Sequence, residues 1–177
     1  MPSKKEIDSI NTTLEELVLI SGLSGYENNV RSSLIKKLKN KSLKSTTDIL
    51  GNLICTLKGD DNLPSVILFA HMDQLGFIVK KIEDNGFIRV ERLGGIPEKA
   101  LASQDIVIVN NKNELIKGII GNKSHHATLQ DEKYTVTPIK NIYIDAGFKN
   151  KRDVLKSGIN IGSPVTYAPY YKTLSNN

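Results

Sequence analysis

Residues 66–70 read Val66-Ile67-Leu68-Phe69-Ala70, a strand-length run with no polar position, entered past Pro64 and left through His71. An alternating strand shows one face to water. A continuous apolar run instead predicts a strand covered on both faces, as in a helix-flanked sheet. The residues before it supply candidate covers. Ser3 and Glu6 make a capping-box pattern, and Ile7, Ile10, Leu14, Leu17 and Val18 follow at helical spacing, with Ser21-Gly22 as the stop. Ser24 and Glu27 repeat the capping pattern ahead of a second stripe, Val30, Leu34 and Leu38. Neither helix is long enough to stand without packing. Gly51-Asn52 is a turn signal before an apolar strand at 53–57. Two amphipathic helices and buried strands predict an α/β unit.

The pattern changes near residue 74. Phe77-Ile78-Val79 and Phe87-Ile88-Arg89-Val90 flank Asp84-Asn85-Gly86, a strong hairpin signal. Residues 105–109 and 115–120 flank the polar turn at 110–113, and residues 139–145 form a further strand candidate. Short strands at hairpin spacing, with no long helix between them, predict a small β-barrel. A short helix follows Asn150, with Asp153 in its first turn and Gly158 as its stop. The expected organisation is an α/β part at 1–74, an inserted barrel at 75–165, and a return towards the first part at 166–177. The sheet begun in the first part is left incomplete.

Charge and cysteine content remove several function classes. The net charge is +5, but the lysines are scattered, only Arg31, Arg89, Arg92 and Arg152 are arginines, and aromatics make up 6% of the chain. Nucleic-acid binders concentrate basic residues on one face, often with aromatics for stacking, so a solvated surface is the better reading and no nucleic-acid partner is expected. Cys55 is the single cysteine; in its apolar run it reads as a small hydrophobe. No run approaches a membrane span, and no signal-peptide core follows the N-terminus. The expected setting is the cytoplasm, with no membrane partner.

The sharpest chemical feature is Ala70-His71-Met72-Asp73-Gln74-Leu75-Gly76-Phe77. A histidine at the end of a buried strand stands where such sheets place functional groups. It can offer one ring nitrogen to a metal while Asp73, two residues on, takes a hydrogen bond from the other. On the residues alone, a histidine at a strand end is more often a structural, hydrogen-bonded residue. His125 and His126 are adjacent, so on a strand their side chains would diverge, and they read as surface or interface residues. Asp145 reads as a turn or cap residue, and Asp60-Asp61 as a loop.

In context, the apolar strand, Ala-His-Met-Asp, Gly-Phe and hairpin resemble the first metal-ligand segment of the tetrahedral, dodecameric metalloaminopeptidases, a family that includes glutamyl and deblocking aminopeptidases and proteins described as endoglucanases. Ser21 to Glu27 resembles the family's G-x-S-G-x-E, Asp48 to Leu53 its D-x-x-G-N-L, and Gly118 to His126 its G-V-I-G-x-K-x-x-H. Tyr143 to Gly147 is similar to F-I-D-x-G, and Gly158 to Val165 to G-V-x-x-G-D-P-V, with Ser163 in place of the usual acid. The resemblance implies an α/β catalytic domain carrying two divalent ions, zinc or cobalt. It implies a PDZ-like barrel that makes homo-oligomer contacts, and hydrolysis of N-terminal residues from peptide substrates. It makes His71 a metal ligand and Asp73 the catalytic residue that orients it. The family's bridging aspartate, Glu-Glu pair and remaining ligands lie beyond residue 177, so the expectation is an N-terminal portion inactive by itself. The alternative is a non-catalytic assembly module.

Overall fold

The computed structural model describes residues 2–174. The molecule is α/β: among the described residues it has three α-helices, a two-stranded sheet and a closed six-stranded barrel. It divides into two compact units, Met1–Asp73 and Gln74–Asn177. Among the described residues no helix is long and apolar enough to cross a membrane.

In the first unit, α1 (Lys4–Val18) starts on the expected capping box. The Ser3 amide donates to Glu6 Oε2 at 2.7 Å, and the Glu6 amide donates back to Ser3 Oγ at 3.4 Å. The helix stops at Val18 with Leu19 as its C-cap, ahead of the Ser21-Gly22 stop read from the sequence. The second helix, α2 (Asn28–Asn40), departs from expectation: its N-cap is Glu27 and no side chain caps it. Ser24, read as the cap, is engaged elsewhere. Strands β1 (Ser45–Thr47) and β2 (Leu53–Cys55) pair antiparallel, with Ser45 opposite Cys55. Their turn is held by Asp48, which accepts from the Leu50 and Asn52 amides and from the Asn52 side chain. Arg31 Nη1 reaches from α2 to the Gly51 carbonyl at 2.9 Å.

The expected buried strand at 66–70 does not form. Val66, Ile67, Leu68 and Phe69 are 82%, 83%, 93% and 94% exposed and belong to no sheet. An interior strand needs a hydrogen-bonded neighbour and a cover on each face, and among the described residues the only sheet of this unit is the β1–β2 pair. Among the described residues, the buried hydrophobic side chains of the unit are Leu23 and Val30.

The second unit is built around β3 (Gly76–Ile82), β4 (Ile88–Leu93), β5 (Asp105–Val109), β6 (Leu115–Ile120), β7 (Ile144–Asp145) and β8 (Pro164–Tyr167), closed in the order β3-β4-β7-β6-β5-β8. Phe77, Val79, Ile82, Ile88, Val90, Ile106, Ile108, Ile120, Ile144 and Val165 fill the interior. The β3–β4 register shifts between Val79 and Lys81; this bulge changes the phase of β3, so that Val79 and Ile82 are both buried while Lys80 and Lys81 face water. The helix α3 (Lys151–Lys156) seats Val154 in the same core.

Two local readings change. The strand expected over 139–145 is a 3-10 turn at Ile139–Asn141 followed by the two-residue β7. Arg89 donates to the carbonyls of Asn141 at 2.9 Å and Ile142 at 3.2 Å, so those acceptors are taken by a side chain rather than by a neighbouring strand. At the other end, Thr166 and Tyr167, placed after the expected boundary at 165, belong to β8 and pair with Val107 and Ile106. Of the expected return segment, residues 175–177 lie outside the described residues.

Candidate functional site

Three residues from two distant parts of the first unit meet at one place. The segment at 71–73 follows the exposed apolar run, and the His71 side chain is 84% exposed. Its Nδ1 lies 2.9 Å from the Asp73 backbone oxygen and 3.0 Å from Asp73 Oδ1. Both neighbours are acceptors only, so Nδ1 carries the proton and donates. In the neutral ring the lone pair is then on Nε2, the nitrogen a metal would use.

Asp73 is fixed in turn. Its Oδ2 accepts the hydroxyl of Ser24, which arrives from the link between α1 and α2. That bond, reinforced by His71, holds the Asp73 carboxyl below the usual carboxylate range; partial burial opposes the shift without overcoming it. The carboxylate therefore stays ionised and acceptor-only, with one oxygen towards the serine and the other towards the imidazole.

Sequence reasoning named His71 and Asp73 and missed Ser24. The residue lies in a serine-glycine pattern that reads equally well as a helix cap, and nothing in local spacing points to a carboxylate in a distant segment. The remaining candidates do not join this site. His125 and His126 stand in an exposed 3-10 turn, His125–Ala127, not on a strand; their rings meet edge-to-face at 5.8 Å instead of diverging. Asp145 accepts the Gly147 amide at 2.8 Å, the turn role read for it. Asp60 holds its own loop through the Asn62 amide at 2.9 Å. Cys55 is half-buried and free.

Among the described residues no three His, Cys, Asp or Glu side chains are grouped so as to hold a metal ion. The donor set fits one ligand position: a single imidazole with its outer nitrogen available and its inner N–H directed at a carboxylate, the arrangement that orients metal-binding histidines.

Residues 51–177 match the M42 glutamyl aminopeptidase family. Over 170 residues the chain is 33% identical to SgcX of Escherichia coli strain K12, covering 96% of this chain and 45% of that protein. It is 28% identical over 166 residues to the lysyl aminopeptidase of Pyrococcus furiosus, covering 93% and 47%. The structure of the Pyrococcus horikoshii TET1 peptidase, which can assemble into a tetrahedron or a large octahedral shell, superposes with a TM-score of 0.78 at 28% identity, over 87% of this chain and 45% of that one. The chain spans under half the length of each of these relatives.

Proposed function

The chain belongs to the M42 glutamyl aminopeptidase family, and from that premise we propose that it is the N-terminal portion of a cytoplasmic metal-dependent aminopeptidase that removes N-terminal residues from peptides. His71 is the ligand this portion contributes, through Nε2, to one of two divalent ions, zinc or cobalt. Asp73 is the residue that orients it. The observation that supports this reading is the pairing of the ring: Nδ1–H is held by Asp73, which leaves the lone pair of the neutral ring on Nε2, and the side chain is 84% exposed. When bound, such ions polarise the scissile carbonyl and lower the pKa of water. The part played by the residues present is to hold the imidazole in one tautomer and one orientation.

One imidazole does not make a two-metal centre, since a zinc site takes three or four protein ligands. The 177-residue chain by itself is therefore proposed to be inactive. The barrel, PDZ-like in this reading, is proposed to carry homo-oligomer contacts; the assembly of the similar TET1 peptidase supports that.

The test is a chimera in which residues 1–177 replace the matching part of SgcX, assayed with a panel of aminoacyl substrates and zinc or cobalt. Metal-dependent turnover is expected in the chimera and none in the 177-residue chain. His71→Ala should remove turnover and lower metal content. Asp73→Asn should leave the fold intact and weaken metal affinity or activity by about 10- to 100-fold. A His71→Ala chimera with full metal content and full activity would overturn the assignment.

A further inference from the structure

The link between the two helices carries the motif Ser21 to Glu27, to which no role has been given, and its serine hydroxyl is bonded to Asp73. We propose that Ser24 is a positioning residue: its hydroxyl fixes the Asp73 carboxylate, which in turn keeps His71 in the Nδ1–H tautomer. This rests on the assignment of His71 as a ligand through Nε2.

Each residue of the link serves that placement. Gly22 is buried, and a Cβ there would lie 2.6 Å from Val30 Cγ2 and 3.7 Å from the Met72 carbonyl, so the link runs close to the segment that carries His71 and Asp73. Leu23 is buried and anchors the chain just before the serine. The Tyr26 amide donates to the Leu23 carbonyl at 2.7 Å, closing a turn in which Gly25 takes φ +84°. The Gly25 amide donates to Glu27 Oε1 at 2.7 Å. Ser24 is thus held on both sides, and its hydroxyl donates to Asp73 Oδ2 instead of capping α2.

The chemical need is specific. A free neutral histidine prefers the proton on Nε2, which would block the outward nitrogen. Reversing that preference requires an acceptor fixed at Nδ1. Asp73 Oδ1 is such an acceptor only while the carboxylate cannot rotate, and the bond from Ser24 to Oδ2 is the restraint on that rotation. The Asp73 backbone oxygen also accepts from Nδ1, so loss of the hydroxyl is expected to reduce the Nδ1–H population rather than abolish it.

The test uses the metal-free 177-residue chain, labelled with 15N at histidine, at one alkaline pH where the rings are neutral. Long-range 1H–15N spectra report the tautomer of each ring. Wild type and Ser24→Thr should show His71 mainly as Nδ1–H. Ser24→Ala and Ser24→Val should move it towards Nε2–H, with His125 and His126 unchanged as internal references. Thr and Val share a shape, so their difference reports the hydroxyl alone, and identical His71 tautomers in that pair overturn the proposal. Zinc titration of the same Ser24 variants placed in the chimera with SgcX, because one imidazole alone does not hold zinc, separates the two readings. A tautomer difference without any zinc effect on His71 keeps the positioning role and defeats the ligand assignment. Zinc binding at His71 with no tautomer difference does the reverse. If both hold, Ser24→Val should bind zinc at His71 about 10-fold more weakly than Ser24→Thr.

Discussion

At Gly86 the backbone takes φ +88°, and a Cβ would stand 2.4 Å from the Phe148 carbonyl oxygen and 3.0 Å from the Asn150 amide nitrogen. Both obstacles are backbone, which cannot swing aside. Gly86→Ala therefore adds left-handed strain, about 1–2 kcal/mol, to a clash. The barrel unit should lose about 2 kcal/mol or more, read as a fall in the urea midpoint; an unchanged midpoint would show that the turn relaxes freely. Glu83, at the same hairpin, accepts from Arg89 Nε at 3.1 Å and Lys81 Nζ at 3.3 Å. The Arg89 hydrogen bond first, and the Lys81 bond next, hold its carboxyl below the ordinary range. A lowered carboxylate pKa means that the folded state binds the proton less readily than the unfolded one. The stabilisation is then complete above about pH 4.3, the unfolded value, and is lost as pH falls through the lower folded value. Glu83→Gln should destabilise the barrel at pH 7 and converge on wild type in acid; a gap of equal size at both pH values would argue against the pairing.

At the level of elements, α3 is too short to hold itself together. It is fixed by its ends and by one buried side chain. Asn150 Oδ1 accepts the Asp153 amide at 3.0 Å, Gly158 ends the helix at φ +85°, and Val154 is fully buried in the barrel core. The C-terminal end is tied to the β5–β6 turn through Asn110, whose Nδ2 donates to the Ser157 carbonyl and to Glu114 Oε2, both at 2.8 Å. Its Oδ1 accepts the Lys112 and Glu114 amides, both at 2.9 Å. Asn110→Asp keeps the shape and replaces a double donor by an oxygen facing two acceptors, one of them charged. The expected loss is about 2–3 kcal/mol, larger than for an exposed asparagine, together with faster amide exchange at residues 112–114. Exchange at the wild-type rate would show the tie to be dispensable.

Over the whole molecule, stability is unevenly divided. The second unit has a closed barrel and a continuous core, while the first buries little beyond Leu23 and Val30 and leaves residues 66–69 almost wholly in water. Segments with few buried contacts open at low free-energy cost. Limited proteolysis should therefore cut first within residues 57–70, which carry no strand or helix. A resistant fragment beginning close to Gln74 should accumulate, identified by mass spectrometry. A digest in which residues 1–73 outlast the barrel would contradict this division. Exposed apolar surface of this kind also favours association, so the intact chain should self-associate more than the resistant fragment does.

The sequence by itself determined the elements whose cause is local. The capping box at Ser3 and Glu6, the Asn85-Gly86 turn, the alternation that buries Ile88 and Val90 but not Arg89 and Glu91, and the stop at Gly158 are all set by residues within a few positions of one another. The spacing of His71 and Asp73 was legible for the same reason. Tertiary structure alone decided the rest. Closure of the barrel pairs Phe77 with Val165 and Ile88 with Ile144, and Ser24 meets Asp73 across 49 positions of chain. The turn at Ile139–Asn141 is accompanied by bonds from Arg89 to the carbonyls of Asn141 and Ile142. Residues 66–70 make the same point in reverse. Their composition specifies a strand buried on both faces, but composition states only what a segment needs. Whether a neighbouring strand and a cover meet it depends on which surfaces come together in space, and local periodicity carries no record of that.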